Sequence, residues 1–154
     1  MESKNLFDYL PEELDGKKDK VKLSDVKESP LIGVYFSAHW CPPCRRFTPV
    51  LSSFYNAANK NTKNIEIIFV SFDRNEEGFK EYYDSMPWLS FPFNSDQKME
   101  FAKDFEIFGI PALLVFDKDG KLIDNDGRTT VENIFKKDSG EEVASDVIKK
   151  WNKK

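Results

Sequence analysis

The chain has 154 residues, a net charge of −4 and a hydrophobic share of 40%. This length suits one domain with a buried core and is too short for two ordinary domains. The acidic balance argues against a nucleic-acid partner, because phosphate recognition needs clustered basic side chains. No apolar run approaches the length that spans a bilayer, and residues 1–5 lack the basic segment and apolar stretch of a secretory signal. We therefore expect neither a membrane nor a nucleic-acid partner.

The cysteine count indicates a reducing compartment. The sequence holds two cysteines, Cys41 and Cys44, which are close neighbours. A secreted scaffold held by disulfides would carry more cysteines, spread along the chain. We therefore expect a cytoplasmic location, with the nucleus as an alternative.

The first half of the chain predicts a strand–helix–strand unit. Residues 31–36 form a near-continuous apolar run, which is typical of a strand buried on both faces. Residues 41–59 carry apolar side chains at helical spacing. Residues 65–72 form a second buried strand of the same kind. A helix that joins two such strands predicts a right-handed crossover and parallel pairing.

The second half predicts helices around a β-hairpin. The predicted elements are helices at 76–84 and 98–108, a hairpin over 112–124 and a last amphipathic helix from about 141. We expect the second of these helices to face inward through Met99, Ala102, Phe105 and Phe108. Val143, Val147, Ile148 and Trp151 share one face of the last helix.

These elements predict a single α/β domain over residues 1–154. Its core spans residues 31–154, and residues 1–30 form an N-terminal extension that mixes short apolar clusters with charge. Within the extension we expect a short strand around Val21 and a brief helical turn capped by Ser24.

Chemistry is concentrated in the segment Cys41-Pro42-Pro43-Cys44, which falls where the first buried strand meets a helix. Free N–H groups and the dipole at a helix start stabilise an anion, so a cysteine there ionises more readily. The thiolate is the reactive nucleophile, and Cys44 lies one turn further in, where its sulfur can reach that of Cys41. The first helical turn tolerates the missing N–H groups of Pro42 and Pro43.

Other uses of the two cysteines fit less well. A zinc site needs about four ligands, and His39 is too close in sequence to make a good third one. A purely structural disulfide would close a very short loop and stabilise little by the chain-entropy argument. A cysteine-protease nucleophile needs a histidine brought from elsewhere, and His39 is the one histidine of the chain.

The segment Trp40-Cys41-Pro42-Pro43-Cys44 resembles the active-site motif of the tryparedoxin and nucleoredoxin branch of the thioredoxin-like superfamily. The likeness covers roughly residues 31–128. It extends to Phe47-Thr48-Pro49, Phe72-Asp73, Glu77-Gly78-Phe79, Met86-Pro87-Trp88-Leu89, Gly109-Ile110-Pro111-Ala112-Leu113 and Asp126-Gly127-Arg128.

The resemblance implies a thioredoxin fold, in which a mixed sheet combines a parallel βαβ half with a C-terminal β-hairpin and is flanked by helices. It implies dithiol exchange with protein disulfides and no bound cofactor besides the redox-active Cys41–Cys44 disulfide. Pro111 corresponds to the family's cis-proline, which faces the cysteines and leaves the backbone of Ile110 free to pair with a substrate strand. From its spacing alone, Pro111 would be interpreted as an ordinary proline at a strand start.

Two positions depart from the family pattern. Thioredoxins carry a buried Asp six residues before the first cysteine, where this chain has Tyr35. Tryparedoxins follow the second strand with Trp-Asp-Glu-Glu, where this chain has Phe72-Asp73-Arg74-Asn75. Arg74 replaces the acidic residue that helps tryparedoxins meet their dithiol donor, which weakens the case for trypanothione and makes nucleoredoxins the nearer resemblance.

Tyr35 is not ionised at neutral pH as a carboxylate is, so another group must accept the proton of the resolving thiol. Parallel strands of a βαβ unit end at the same sheet edge, which predicts that Asp73 lies near Cys41. We nominate Asp73, acting through a water, as the proton acceptor, with His39 as the second choice. The alternative is that Asp73 caps the following loop or helix.

Four further residues are candidates for substrate binding. Trp40 is predicted to cover Cys41 and to form a substrate surface with Pro42 and Pro43, although a packed core aromatic is the alternative. Arg128 is expected on the rim near Pro111, where it would meet an acidic partner; a solvated arginine in the hairpin is the alternative.

The sequence thus predicts a monomeric dithiol–disulfide oxidoreductase. Cys41 attacks a substrate disulfide and Cys44 resolves the mixed disulfide. The expected partners are protein disulfides, a peroxiredoxin among them, and a low-molecular-weight dithiol or a reductase as electron donor. The rival hypotheses are a redox-sensing binding module of nucleoredoxin type, and an oxidase or isomerase in an oxidising compartment.

Overall fold

The computed structural model describes residues 4–154, so residues 1–3 of the stretch examined for a secretory signal lie outside it. A 3-10 helix at Leu6–Asp8 precedes the regular elements. The strands are β1 (Glu13–Asp15), β2 (Lys20–Lys22), β3 (Leu31–Ser37), β4 (Glu66–Ser71), β5 (Leu89–Ser90), β6 (Ala112–Asp117) and β7 (Leu122–Asp124). The helices are α1 (Leu23–Val26), α2 (Pro42–Ala58), α3 (Glu76–Tyr83), α4 (Gln97–Asp104), α5 (Gly127–Ile134) and α6 (Glu141–Asn152).

The strands form one mixed sheet in the order β2-β1-β5-β4-β3-β6-β7. Strand β3 pairs in parallel with β4 and antiparallel with β6, and β6 and β7 form the predicted hairpin. Helices flank the sheet, so the predicted α/β class with a parallel βαβ half and a C-terminal hairpin is confirmed. Among residues 4–154, no helix has both the length and the apolar character needed to cross a membrane.

Alternation along β3 and β4 divides the core into two layers. Leu31 and Tyr35 of β3 face one layer, which also holds buried residues of α2, α3, α5 and α6. Ile32, Val34 and Phe36 face the other layer, which is closed by the N-terminal segment and α4. Both faces of the central strands are therefore buried, which explains their near-continuous apolar sequences.

The N-terminal extension is part of the sheet. Strand β1 pairs antiparallel with both β2 and β5, so the extension adds two strands to the edge of the sheet beyond β5. The strand predicted around Val21 is present as β2, but the predicted cap is wrong. Helix α1 begins at Leu23 with Lys22 as its N-cap, and Ser24 lies inside the first turn.

Helix α4 is shorter than the pattern of residues 98–108 predicts. It ends at Asp104, and Glu106 then takes a left-handed conformation with φ of 57°. The expected inward positions of Ala102 and Phe105 are confirmed. Those of Met99 and Phe108 are wrong, because their side chains are 71% and 90% exposed.

Helix α5 was missed by the sequence patterns. It begins after Asp126, whose side chain accepts a hydrogen bond from the backbone N–H of Thr129. Gly127 opens the helix where a Cβ would lie 3.0 Å from the backbone and side chain of Leu113, so a glycine permits this close approach to β6. Arg128 therefore belongs to a helix and not to the hairpin.

Asp124, at the end of β7, ties the C-terminal helices to the sheet. One of its carboxylate oxygens accepts hydrogen bonds from Trp151 Nε1 at 2.8 Å and Thr130 Oγ1 at 2.7 Å, and the other accepts from the Asp126 N–H at 2.9 Å. Burial alone would raise the pKa of Asp124, but these hydrogen bonds hold it below its ordinary value.

Replacing Asp124 by Asn is expected to lower the free energy of unfolding at neutral pH by about 2 kcal/mol, the scale of hydrogen bonds to a charged group. A depressed folded-state pKa stabilises above the ordinary carboxyl value and loses that contribution as pH falls through the folded value. Thermal unfolding of both proteins should therefore show a gap in Tm at neutral pH that shrinks in acid. A gap that persists unchanged in acid would contradict this role.

Candidate active site

The two cysteines stand at the junction of β3 and α2. Cys41 is the N-cap of α2, and Pro42 and Pro43 follow as its first residues. Neither proline has an N–H, so the first backbone donor of the helix is that of Cys44, which donates to Cys41 Sγ at 3.3 Å. The helix start therefore directs an N–H at the Cys41 sulfur, as the sequence predicts.

Cys44 is the more shielded of the two thiols. Its side chain is fully buried, whereas 5% of Cys41 is exposed, and both pack against Ala38, Phe72 and Ile110. Burial, followed by the hydrogen bond with Cys41, raises the pKa of the Cys44 thiol to about 11. Both residues are free thiols in the structure. Of the two cysteines, Cys41 therefore has the more exposed surface.

The Ile110–Pro111 peptide bond is cis, as predicted, and it faces the cysteines. Strand β6 carries it there by pairing antiparallel with β3, so that Ala112 lies opposite Phe36. The Cys41 thiol points at the carbonyl of Ile110, with 3.9 Å between sulfur and oxygen. The backbone of Ile110 therefore lies beside the reactive sulfur.

Trp40 is a surface residue, and the alternative of a packed core aromatic is not what the structure shows. Its side chain is 47% exposed, and its Nε1 donates to the carbonyl of Phe72 at 3.0 Å. The guanidinium of Arg74 lies 5.0 Å from the ring centroid, which is the geometry of a cation–π contact. The ring is thus held at the rim of the site from the loop that follows β4.

Asp73 holds the loop that carries Trp40. Its Oδ1 accepts the backbone N–H of His39 at 2.7 Å, and its Oδ2 accepts the hydroxyl of Ser71 at 2.6 Å. Arg45 binds the same loop from the other side by donating to the carbonyl of His39 at 2.7 Å. The cap of α3 is Asn75, whose side chain accepts the N–H of Gly78 at 2.8 Å.

Arg128 lies on α5 and faces α2. Its Nε donates to Glu132 Oε1 at 3.0 Å, and its guanidinium lies 5.9 Å from the ring of Phe47. About a third of its side chain is exposed, at 35%, so the charge remains accessible from solvent. The geometry keeps it available to a partner that covers the start of α2.

A cluster of four buried hydroxyl groups behind Cys44 was missed by the sequence patterns. We call it the hydroxyl cluster; it consists of Tyr35, Ser37, Thr48 and Tyr82. Tyr35 and Ser37 could have been suspected, because they alternate on β3 just before the motif. Tyr82 lies on α3, far from the motif in sequence, and no local signal points to it.

Phe108 is a second omission. It lies two residues before the cis peptide bond, and its ring is 90% exposed. Within residues 4–154, no three His, Cys, Asp or Glu side chains are grouped as a metal site would require.

Comparison with known proteins assigns this fold and motif to a family. A family model described as thioredoxin-like matches residues 30–122. The chain belongs to the thioredoxin-like family.

Its relatives include nucleoredoxins and tryparedoxins, which confirms the resemblance. Human nucleoredoxin is 47% identical over 103 residues, which are 66% of this chain and 24% of that protein. Tryparedoxin from Trypanosoma brucei brucei is 41% identical over 130 residues, which are 82% of this chain and 89% of that protein. A solved tryparedoxin II complexed with glutathionylspermidine matches with a TM-score of 0.76 and 34% identity, covering 83% of this chain and 91% of that one. The chain thus spans about a quarter of the human nucleoredoxin and most of a tryparedoxin.

Proposed function

We propose that this protein is a dithiol–disulfide oxidoreductase in which Cys41 attacks and Cys44 resolves. The observation that carries the proposal is the asymmetry of the pair. Cys41 sits at the start of α2 beneath a backbone donor, whereas Cys44 is fully buried and its pKa is raised. A thiol at a helix start is suited to attack, and a shielded neighbour one turn away is suited to resolve.

The reaction balances without a cofactor. The Cys41 thiolate attacks one sulfur of a substrate disulfide, forms a mixed disulfide and releases the first substrate thiolate. Cys44 then loses its proton, attacks Cys41 Sγ and releases the second substrate thiolate, leaving a Cys41–Cys44 disulfide. The substrate is reduced by two electrons and the protein is oxidised by two. The proton from Cys44 and one from solvent end on the two substrate thiols.

Substrate would be engaged on the surface around Cys41. The backbone of Ile110 beside Pro111 offers pairing groups to an extended segment that flanks the substrate cysteine. Trp40, with Pro42 and Pro43, forms one wall of this surface. We add Phe108, because its exposed ring lies two residues before the cis peptide bond, and we place Arg128 of α5 at the rim.

The charge around Trp40 favours an acidic electron donor or substrate. Arg45 and Arg74 line an open cavity together with His39, Trp40, Asp73, Asn75 and Gly78. Tryparedoxin II has been solved in complex with glutathionylspermidine, a ligand that carries a polyamine. Two arginines at this rim disfavour a polyamine and favour a carboxylate-bearing thiol or a reductase with an acidic surface. A peroxiredoxin disulfide is the recipient that the tryparedoxin relationship suggests.

We place this reaction in the cytoplasm, with the nucleus as the alternative, and assign it to a monomer. A reducing compartment would return the oxidised pair to the dithiol form. The alkylation state of Cys41 and Cys44 in intact cells would test the compartment, and light scattering of the pure protein would test the monomer.

The reduction potential of the Cys41–Cys44 pair tests the direction of the reaction. Equilibration in redox buffers should give a value between about −270 and −200 mV, the range of thioredoxins and glutaredoxins. A value near about −120 mV would instead identify a strong oxidant.

The likeness to nucleoredoxins favours one second candidate, a redox-sensing binding module with little turnover. Turnover in an insulin-reduction assay separates the two functions. Multiple turnovers with a dithiol donor support the oxidoreductase. A single equivalent of reduced insulin per protein would favour the binding module.

We retain Asp73 as a proposed proton acceptor, acting through a water. If this role holds, Asp73→Asn should slow resolution of a Cys41 mixed disulfide about tenfold near neutral pH, which is less than the roughly hundredfold at the lower end of general-base effects because the transfer runs through a water. The rate should recover as pH rises and Cys44 ionises unaided. Ser71→Ala is the control, because it removes the two hydrogen bonds that the Ser71 hydroxyl makes with Asp73 and keeps the carboxylate. Resolution kinetics that Asp73→Asn leaves unchanged would limit Asp73 to holding the loop through the N–H of His39.

A further inference from the structure

The hydroxyl cluster lies directly behind the resolving cysteine. Tyr82 Oη is 2.8 Å from Ser37 Oγ and 2.6 Å from Thr48 Oγ1, and Thr48 Oγ1 is 2.7 Å from Tyr35 Oη. All four side chains are buried. Burial raises the pKa of both tyrosines, so both keep their protons at neutral pH and act as hydrogen-bond donors.

Counting protons fixes the direction of these hydrogen bonds when Cys44 is a thiol. Thr48 Oγ1 donates to the carbonyl oxygen of Cys44 at 3.0 Å, which uses its one proton. Tyr35 and Tyr82 must therefore both donate to Thr48 Oγ1. Tyr82 then has no proton left for Ser37, so Ser37 donates to Tyr82.

The same contacts allow the opposite direction. Ser37 can turn its proton to the Cys44 sulfur if Tyr82 turns its own proton to Ser37. Thr48 then donates to Tyr82 and releases the carbonyl of Cys44, while Tyr35 donates to Thr48 in both arrangements. Every oxygen keeps its position, because only three hydroxyl protons rotate. Ser37 and Cys44 are both fully buried, and Ser37 acts to lower the pKa of the Cys44 thiol against the larger raising effect of burial.

We propose that the hydroxyl cluster solvates the Cys44 thiolate during resolution: Ser37 donates to the sulfur, and Tyr82, as a positioning residue, donates to Ser37. This inference rests on the proposed function, in which Cys44 attacks the Cys41 mixed disulfide. The cluster takes the place of a buried acid at the resolving thiol, because a low-dielectric site strengthens hydrogen bonds to a developing anion. It donates hydrogen bonds and does not take the proton.

The atoms balance in this step. The Cys44 proton leaves through water, with Asp73 as the proposed acceptor, and the thiolate attacks Cys41 Sγ. A bond forms between the two protein sulfurs as the bond between Cys41 and the substrate sulfur breaks. The departing substrate thiolate then takes up a proton from solvent.

The ionisable side chains nearest to Cys44 belong to a cysteine and to tyrosines, whereas Asp73 and Arg45 lie further away. Cys41 faces Cys44 from the same helix start and Tyr82 from α3, whereas Tyr35 of β3 is connected to it through Thr48. His39 stacks on the ring of Tyr82 with 5.2 Å between centroids. Asp73 and Arg45 lie beyond His39 and bind its backbone. Hydroxyl groups are therefore the polar side chains that the structure packs behind the sulfur.

The test follows the reaction of the reduced protein with dithionitrobenzoate. The first equivalent of nitrothiobenzoate is released when Cys41 attacks, and the second when Cys44 resolves. Stopped-flow absorbance separates the two phases as a function of pH. Tyr82→Phe and Ser37→Ala each break the proton chain while keeping most of the packing. Tyr83→Phe is the matched control, because this neighbour on α3 is also buried but donates to the carbonyl of Trp88 at 2.6 Å.

Tyr82→Phe and Ser37→Ala should slow the second phase about tenfold at neutral pH, which corresponds to about 1.4 kcal/mol, and should leave the first phase unchanged. The pH at which the second phase is half-maximal should rise by about one unit. Tyr83→Phe should change neither phase. An unmoved half-maximal pH in both cluster variants, or an equal shift in Tyr83→Phe, would overturn the inference. Absence of any second phase in the unmodified protein would instead refute Cys44 as the resolving thiol, and the inference with it.

Discussion

Cys41→Ser is expected to abolish disulfide reduction, lowering insulin turnover by at least about a thousandfold, the scale on which loss of a catalytic nucleophile acts. Serine is isosteric with cysteine but does not ionise near neutral pH, so it cannot start the exchange. Cys44 remains in this variant, but it is fully buried and its pKa is raised to about 11, so it cannot substitute. The measurement is the rate of insulin precipitation with a dithiol donor.

The loss of disulfide reduction expected for Cys41→Ser can be distinguished from a loss of folding. Cys41 is the N-cap of α2 and accepts the N–H of Cys44, and serine is a preferred residue at that position. Cys41→Ser should therefore keep the Tm of the unmodified protein within a few degrees or raise it. Residual turnover above about a tenth of the original rate, in a folded variant, would show that Cys41 is not the sole attacking thiol.

The central part of the fold could be predicted because its signals are local and strong. Strands β3 and β4 are buried on both faces, so their sequences are apolar throughout. Helix α2 carries its apolar residues at helical spacing, and the turn at Gly120 has the positive φ of 84° that a glycine accepts readily. Each of these features is encoded within a few neighbouring residues.

The peripheral elements were missed because pairing with distant partners defines them. Strand β5 has two residues and exists because β1 and β4 pair with it from either side. Helix α4 stops early because Glu106 adopts a left-handed conformation, for which the sequence offers no glycine or asparagine.

The active site shows the same difference between features encoded locally and features that depend on long-range packing. The cysteine pair and the prolines between them are contiguous in sequence, and their placement at a strand–helix junction could be inferred from the flanking patterns. The contacts of Asp73 and the hydroxyl cluster depend on how α3 and the loop after β4 pack against β3. Tyr82 meets Ser37 across 45 positions of the chain, and this contact cannot be predicted from periodicity.

Cys44→Ser is expected to convert the protein into a trap for its substrates. Cys41 still attacks a disulfide, but the mixed disulfide cannot be resolved from within and should persist for minutes to hours, the time of uncatalysed exchange. Serine at this buried position keeps a small polar group beside Ser37 and retains the N–H that donates to Cys41 Sγ. Non-reducing gels of a lysate passed over the immobilised variant should show new bands that disappear with dithiothreitol.

The double variant Cys41→Ser/Cys44→Ser distinguishes disulfide-linked partners from proteins that bind non-covalently. It keeps the exposed rings of Trp40 and Phe108 but has no thiol. Bands that appear with Cys44→Ser and are missing with the double variant are disulfide partners, and we expect a peroxiredoxin among them. The reverse pattern, in which Cys41→Ser accumulates mixed disulfides and Cys44→Ser does not, would show that the roles of the two cysteines are exchanged. That outcome would be hard to reconcile with a sulfur that is fully buried behind the start of α2. The capture experiment therefore tests the order of attack and also identifies the partner proteins on which the proposed function depends.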